Sequence, residues 1–539
     1  MKQYQSDVVI IGGGLAGIST ALEILNSKKN AKVILIEKSQ KEGLGGLARK
    51  SFGGIFLNGT KEQKKMGIQD SPELAYQDWL SFAEFEEDDH YGKEWAKEYV
   101  YNNLDYVYHW LRGKKIQFFP VVHWVERGLF KPGNSVPRFH MVWGTGYELM
   151  KVLTNELFGF LDSNSLQIFF ETKIETIFLD SSQTKVMGCG GIHLNTKENF
   201  EIQTPIIVVA SGGITGNLDL VRKNWGYNSE IPKILLNGSQ LESDGELHFE
   251  LEKKGALLHK IYRQWNYAAG VHHPKAKFPE EGLSLVPVKS GLWVNVFGER
   301  IGNPPLVSGF DTLYLVREIL KQAGGYSWHI MNYKIAKKEL AVSGSEFNEA
   351  IRDKKLLQFL SILLFGNKKL LNTLMNHCID FVTANSLEEL VKKMNELQTD
   401  YKTEYSILQR TIQNYDSMIE RGYKFLNDDQ LRRIMHLRNY RGDKIRTCKF
   451  QRILDKNAFP LIAIRLHILT RKTLGGILTN LQSRVLNKNF KEISGLYAVG
   501  ETAGFGGGGI HGIRSLEGTF LGSCIFTGRI AGQDIIKNL

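Results

Sequence analysis

The chain has few cysteines, no long apolar run and no repeats, and each absence excludes something. Cys189, Cys378, Cys448 and Cys524 are the only cysteines in 539 residues, and none has Cys-x-x-Cys spacing. That argues against a zinc site, an iron–sulfur cluster or a disulfide framework, and suits a reducing cytoplasm. No apolar stretch reaches the ~18 residues expected of a membrane span. The opening, Met1 to Ser6, runs directly into a strand pattern and leaves no room for a secretory leader. Without internal repeats or low-complexity tracts, solenoid and fibrous architectures drop out.

What is present describes a globular protein of several domains. Hydrophobic residues make up 42% and charged residues 23% of the chain, enough apolar material for about two to four domains. The net charge of +11 is spread along the sequence, with one local cluster at Arg432, Arg433, Arg438, Arg441, Lys444, Arg446 and Lys449. A solvated face is the default for such a cluster, and no motif supports nucleic-acid binding. The most apolar helical pattern, Leu356 to Phe365, is interrupted by Gln358 and Ser361. It is short for a span and is expected to be a buried helix, with peripheral membrane contact as the alternative.

The N-terminus carries the strongest signal. Asp7 to Ile11 read as a buried strand, Gly12-Gly13-Gly14-Leu15-Ala16-Gly17 as a glycine turn, and the residues up to about Leu25 as an amphipathic helix. A second strand, Lys32 to Ile36, ends in Glu37, twenty residues after Gly17. In that order these are the parts of a dinucleotide fold. Gly12, Gly14 and Gly17 permit the turn and close packing, the helix N-terminus receives a pyrophosphate, and the acid accepts from ribose hydroxyls.

Further along, residues 60–130 place Tyr76, Trp79, Phe82, Trp95 and Tyr99 at helical spacing. Leu166 to Phe170, Lys173 to Leu179 and Ile206 to Ala210 read as strands, the last ending in Ser211-Gly212-Gly213. From 266 to about 440 the composition shifts to aromatics, His and Pro, and then to polar helices at Ser386 to Leu397 and Thr403 to Tyr423. The C-terminus returns to the opening style. Gly495 to Glu501 read as a strand ending in Gly-Glu, followed by the glycine run 504–509 and a helix from about Ser515 to Ile536. The expected organisation is an α/β Rossmann-like nucleotide domain built from 1–265 and 441–539, with an α+β capping domain inserted at 266–440.

Five motifs together resemble the flavoproteins of the fumarate reductase and 3-ketosteroid Δ1-dehydrogenase superfamily, above all the branch called FAD-binding dehydrogenases. They are the N-terminal fingerprint; Gly45-Gly46-Leu47-Ala48-Arg49-Lys50-Ser51-Phe52-Gly53-Gly54; Val209 to Gly213; Lys472-Thr473-Leu474-Gly475-Gly476; and Gly500-Glu501 with Gly509-Ile510-His511-Gly512. The resemblance implies a Rossmann-like FAD domain with a capping substrate domain. It places Gly45, Gly46, Ser51, Gly53 and Gly54 beside the isoalloxazine ring, and Gly500 and Glu501 on the ribityl chain and phosphate. Ser515 and Leu516 fall at the pyrimidine end of the flavin, where a helix N-terminus can stabilise the reduced anion. Leu15, Ala16, Lys38, Ile174, Ala210, Ser211 and Gly212 complete the cofactor set.

Departures from the family pattern narrow the chemistry. Respiratory fumarate reductases attach FAD through a histidine where this chain has Leu47, so FAD is expected to be non-covalent. Their carboxylate-binding arginine aligns with Ser515, with Arg514 one residue early, and Lys472 replaces a histidine before Thr-x-Gly-Gly. On a helix, one residue is a rotation of ~100°. A tyrosine of the steroid dehydrogenases aligns with Gly508.

Candidate chemistry therefore rests on His511, Arg514 and Lys472, joined by Tyr267, His273 and His140. Tyr326 and His329 are weaker, and His272-His273 lacks nearby carboxylate or thiol partners in sequence for a metal. The expected function is FAD-dependent oxidation or reduction of a CH–CH bond beside a carbonyl, in a hydrophobic, steroid-like substrate with a separate electron acceptor. Such chemistry needs a base, a donor for developing enolate charge, and exclusion of water. A reductase of unsaturated carboxylates and a non-catalytic flavin redox module are the alternatives.

Overall fold

The computed structural model describes residues 2–539, which divide into two compact units. The first comprises Met1–Gly226, Ser239–Trp265 and Lys472–Leu539; the second comprises Tyr227–Gly238 and Asn266–Arg471.

A six-stranded sheet organises the first unit. Its spatial order is Arg484–Leu486, Glu492–Ala498, Ile207–Val209, Val8–Ile11, Val33–Ile36 and Leu166–Phe169, with all but the first strand parallel. Three of the four inner strands, Ile207–Val209, Val8–Ile11 and Val33–Ile36, are buried along their whole length. Continuous Val/Ile/Leu runs are what a parallel sheet covered on both faces requires. Val9 faces Ile207 on one side and Ile34 on the other, and Ile207 also faces Leu496. Strands from the two ends of the chain thus complete one sheet. A second sheet, ordered Lys2–Gln5, Asn199–Gln203, Val186–His193 and Thr172–Leu179, packs into the same hydrophobic core through Phe200, Ile202 and Ile174.

The helix Leu15–Leu25 follows the glycine turn and packs beside the C-terminal helix Thr519–Asn538. Thr20 Oγ1 donates to the carbonyl of Gly528 at 2.9 Å, and Arg529 pairs with Glu23 at 2.8 Å. The aromatic spacing in 60–130 resolves into Pro72–Ala83 and His90–Asn103, which bury Trp79, Phe82, Trp95 and Tyr99.

The second unit is built on a mixed sheet. Its order is Leu292–Val294, Tyr326–Asn332, Leu461–Thr473, Gln264–His272, Gly282–Val286 and Ala341–Val342, with Leu235–Asn237 and Phe381–Ala384 also pairing with Leu461–Thr473. That long strand explains why the second unit extends to Arg471 instead of the expected 440, and why it takes in 227–238. Four elements lean on one strand that the composition shift did not mark. Its helices are amphipathic as the sequence suggests: Leu387–Leu397 starts at Ser386, whose hydroxyl caps the Glu389 N–H at 3.1 Å, and buries Leu390, Val391 and Met394.

One expectation fails outright. Leu356–Phe365 is a helix, but none of its residues is buried. Hydropathy alone could not reveal that no element of the unit covers its outer face.

Candidate functional site

Within the first unit, the carboxyl ends of the parallel strands converge on the glycine turn. The order around Val8–Ile11 reverses there: Val33–Ile36 lies on one side and Ile207–Val209 on the other, the place where open α/β sheets form their ligand crevice. Gly12 has φ of +110°, and a Cβ on it would lie 2.3 Å from the Ala210 carbonyl. A Cβ on Gly17 would lie 2.1 Å from the carbonyl of Gly12. Both positions are closed to side chains by the protein itself. Gly14 differs: a Cβ there would meet no protein atom within 4 Å. Gly14 also begins the helix Leu15–Leu25, which has neither a side-chain cap nor an acid in its first turn. Its first N–H groups are therefore offered to an anionic ligand.

The neighbouring segments close around this turn. Gly45 N donates to the Gly13 carbonyl at 2.8 Å, bringing the 45–54 segment against it. Glu37 accepts from the Gly13 N–H at 2.8 Å through Oε2, and from the Ser39 N–H and hydroxyl at 2.8 Å through Oε1. It thus braces the turn. Lys38 forms an ion pair with Asp244. Ser51 donates to the Ala48 carbonyl at 2.7 Å and receives the Gly53 N–H at 3.2 Å. Glu501 accepts from the Thr473 N–H at 2.8 Å, Thr473 Oγ1 accepts from Ile214 N at 2.9 Å, and Thr502 donates to the Gly212 carbonyl at 3.0 Å. The Ser211–Gly213 turn, the Lys472–Gly476 motif and Gly500–Glu501 are therefore one hydrogen-bonded assembly. Ile174 sits one layer away, its side chain in the hydrophobic core.

Sequence reasoning missed several members of this assembly. Thr473 and Thr502 tie the turns together, and Gln240 and Ser243 lie against Gly46 and Gly212 respectively. The only signal for the 239–244 segment was Ser243-Asp244-Gly245 ahead of a helix.

The C-terminal loop holds the remaining candidates of this unit. His511 is wholly buried, stacked on Trp79 at 5.8 Å and packed against Phe520 at 4.7 Å and Phe505 at 5.2 Å. Thr519 Oγ1 donates to the Leu516 carbonyl at 2.6 Å, so at 2.8 Å it accepts from His511 Nε2. The imidazole therefore carries its proton on Nε2 and keeps a lone pair on Nδ1. Burial, and then the Lys472 ammonium, hold His511 well below the usual imidazole range, so it is neutral. Lys472 Nζ lies 3.7 Å from the centroid of the Phe520 ring. Arg514 pairs with Glu84 at 3.4 Å and lies over the Phe82 ring at 5.3 Å. The helix expected from Ser515 begins at Thr519, because Gly518 takes φ of +95° and turns the chain into it. Arg514 is accordingly a turn residue, and Ser515 and Leu516 lead into the helix N-terminus. The glycine run 504–509 packs on an aromatic residue, with Gly506 and Gly507 against Trp95.

Residues 7–521 match the family described as FAD binding domain. The chain belongs to this FAD-binding family. A KsdD-like steroid dehydrogenase of Mycobacterium tuberculosis is 38% identical over 554 residues, covering 99% of this chain and 96% of its own length. The fold resembles the open conformation of a flavocytochrome c3 fumarate reductase, with a TM-score of 0.68 and 19% identity over 99% of this chain and 78% of that one. It also resembles 3-ketosteroid delta1-dehydrogenase from Sterolibacterium denitrificans in complex with 1,4-androstadiene-3,17-dione, with a TM-score of 0.67 and 14% identity over 99% and 100% of the two chains. FAD is the cofactor. The residues present fit it: the open cradle at Gly14 and the uncapped helix suit a pyrophosphate, and Glu37 suits a ribose.

The other candidates of this flavoprotein stand elsewhere. His140 is fully buried in the first unit; its Nδ1 donates to the Arg138 carbonyl at 2.8 Å and its Nε2 receives the Thr60 hydroxyl at 2.7 Å. Burial pushes its pKa down to about 4, so at neutral pH it is an uncharged structural tie. Beside it, Arg138 is entirely buried between Asp70 at 2.8 Å and Asp78 at 2.5 Å. In the second unit, Tyr267 is half-buried on Gln264–His272, and His273 meets Glu346 at 3.2 Å and the Lys275 N–H at 3.1 Å. His329 stacks on Trp293 at 4.8 Å, and burial lowers its pKa to about 3. His272 turns the opposite way from His273, with Nδ1 2.8 Å from Asp380, which also meets His467 at 3.3 Å and Arg465 at 3.1 Å. Two imidazoles and a carboxylate within 4.8 Å could ligate a metal. The guanidinium already on Asp380 suits a buried ion network better.

Proposed function

We propose that this flavoprotein is an FAD-dependent dehydrogenase of CH–CH bonds beside a carbonyl, acting on a hydrophobic, steroid-like ketone with FAD held non-covalently. The observation that carries this reading is the near-full-length similarity to KsdD-like steroid dehydrogenases, joined to a cradle built for FAD in the first unit. Bound FAD supplies the two-electron acceptor for hydride.

The protein's part is to bind, orient and polarise. Gly12, Gly14, Gly17, Glu37, Gly500 and Glu501 would hold the cofactor, and the N-terminus of Thr519–Asn538 would favour negative charge at its pyrimidine end. Lys472 supplies a fixed positive charge beside the aromatic wall of Phe520. His511 orders the loop leading into the helix by donating to Thr519, a positioning role. Tyr267 and His273 remain candidates for proton handling in the second unit.

The carboxylate-reductase alternative needs His511, Arg514 and Lys472 as a cluster of cations. His511 is neutral and Arg514 is paired with Glu84, so the geometry offers that reading little.

The test is anaerobic bleaching of the purified yellow protein with a 3-ketosteroid, a medium-chain acyl thioester and succinate, with fumarate as reoxidant. Bleaching by the ketosteroid, with FAD released by acid, is expected. Bleaching by succinate with reoxidation by fumarate, and no response to the steroid, would replace this reading with the carboxylate one.

A further inference from the structure

The helix Leu356–Phe365 reads Leu-Leu-Gln-Phe-Leu-Ser-Ile-Leu-Leu-Phe, and none of its ten residues is buried. Leu357 is 83% exposed, Leu364 75%, Phe365 66%, Leu356 57% and Leu360 44%. Leu357, Leu360 and Leu364 follow the i, i+3, i+7 spacing of one helical stripe, and Leu356 and Phe365 widen it. The opposite side, Phe359, Ile362 and Leu363, is half-buried over a cavity of about 570 Å³ that also touches Phe347 and Leu340. The helix therefore stands proud of its unit and presents a contiguous apolar surface to water, an arrangement that marks an interaction site.

Charge identifies the partner. The helix contains no charged residue, but Lys354 and Lys355 precede it and Lys368 and Lys369 follow it. The acids nearby are balanced within the segment, Glu349 by Lys369 at 2.7 Å and Asp353 by Arg352 at 2.7 Å and Lys355 at 3.6 Å, while Glu346 meets His273 at 3.2 Å, so what the segment offers a partner is its excess of cations over acids. Between 346 and 369, five cations face three acids. Lysines at both ends of an apolar rod suit an anionic interface, where alkyl stems enter the boundary and ammonium groups reach the headgroups. Self-pairing is disfavoured by the same pattern, since two copies side by side oppose lysine pair to lysine pair whether parallel or antiparallel. Ten residues rise only about 15 Å, half of a hydrocarbon core, so the helix lies in the interface and does not cross it.

We propose that Leu356–Phe365 is a docking helix that seats the second unit on an anionic lipid surface. The flavin-loaded full chain is expected to sediment with phosphatidylcholine–phosphatidylglycerol vesicles, less so with phosphatidylcholine alone, and less so in high salt. The double variant Leu357→Glu/Leu364→Glu alters two solvent-facing side chains. It is expected to lose binding by about tenfold or more while keeping its flavin spectrum and turnover. Replacing Lys354, Lys355, Lys368 and Lys369 with Gln should abolish the preference for phosphatidylglycerol and the salt dependence, leaving the fold untouched. Three results overturn the proposal: wild-type protein that stays in the supernatant with both vesicles, Leu-to-Glu protein that sediments as well as wild type, or a concentration-dependent dimer that the same variant dissolves.

Discussion

Lys472 holds its ammonium 3.7 Å from the centroid of the Phe520 ring, and His511 packs against the same ring at 4.7 Å. A cation, a ring face and a neutral imidazole are thus fixed together where the Lys472–Gly476 motif meets the C-terminal loop. Lys472→Met removes the charge but keeps most of the stem. If the ammonium stabilises developing negative charge, kcat/KM should fall by roughly 10²-fold, the scale of a lost oxyanion donor, with the flavin spectrum retained. The imidazole should respond as well. Its pKa rises in Lys472→Met but stays below the normal range, because burial is the larger cause, and histidine NMR would read both.

His140 makes stability depend on pH. Its folded pKa of about 4 lies below the ordinary 6.5, so below that ordinary value the unfolded chain binds more protons than the folded one. Stability is full above about pH 6.5 and is lost as pH falls toward 4, with about 3 kcal/mol from this residue at the low end. Urea midpoints between pH 7 and 4.5 should decline, and His140→Gln should flatten the decline.

The glycine turn separates two kinds of damage. Gly12→Ala would press a methyl group against the Ala210 carbonyl at an unfavourable φ, so it should lower the melting temperature with or without FAD. Gly14→Ala meets no protein atom within 4 Å. If the pyrophosphate seats on this turn, the variant should fold normally yet bind FAD at least about tenfold more weakly. Flavin fluorescence titration and thermal melts distinguish the two.

A buried ion cluster in the first unit should be costly to break. Asp89 accepts from Arg263 at 2.8 Å, from His259 at 3.1 Å and from Lys260 at 3.2 Å. Burial pushes this carboxyl up, yet hydrogen bonds from His259 and Arg263 outweigh it and hold the group well below the usual range. Asp89→Leu leaves the guanidinium of Arg263 with Glu86 at 3.2 Å but without its shortest carboxylate contact, and about 1–3 kcal/mol of stability should disappear in urea unfolding.

The cofactor cradle was legible in sequence because its demands are local. The turn from Gly12 to Gly17, the strand before it and Glu37 lie within about one βαβ unit, so spacing alone anticipates their local geometry. The partners that lock it were not, since Thr473 and Thr502 reach Ile214 and Gly212 from more than two hundred residues away. Spacing also placed the helix Leu356–Phe365 correctly but hid its exposure, because apolar periodicity reports that a face is hydrophobic and not what covers it. The extent of the second unit is hidden for a related reason: Leu461–Thr473 is an ordinary strand by composition, and only its pairing with four others makes it central.

The sheet that carries the glycine turn joins Val9 to Ile207 and Ile207 to Leu496. During synthesis, the first strand leaves the ribosome long before its last parallel neighbour exists. The nucleotide crevice therefore has no complete floor until the residues around Ala498 emerge, and the helix Thr519–Asn538 that braces Leu15–Leu25 follows later still. A complete crevice is consequently a late event in the life of each molecule, and a nascent chain released early would carry the Val/Ile edge of Ile207–Val209 without its neighbour.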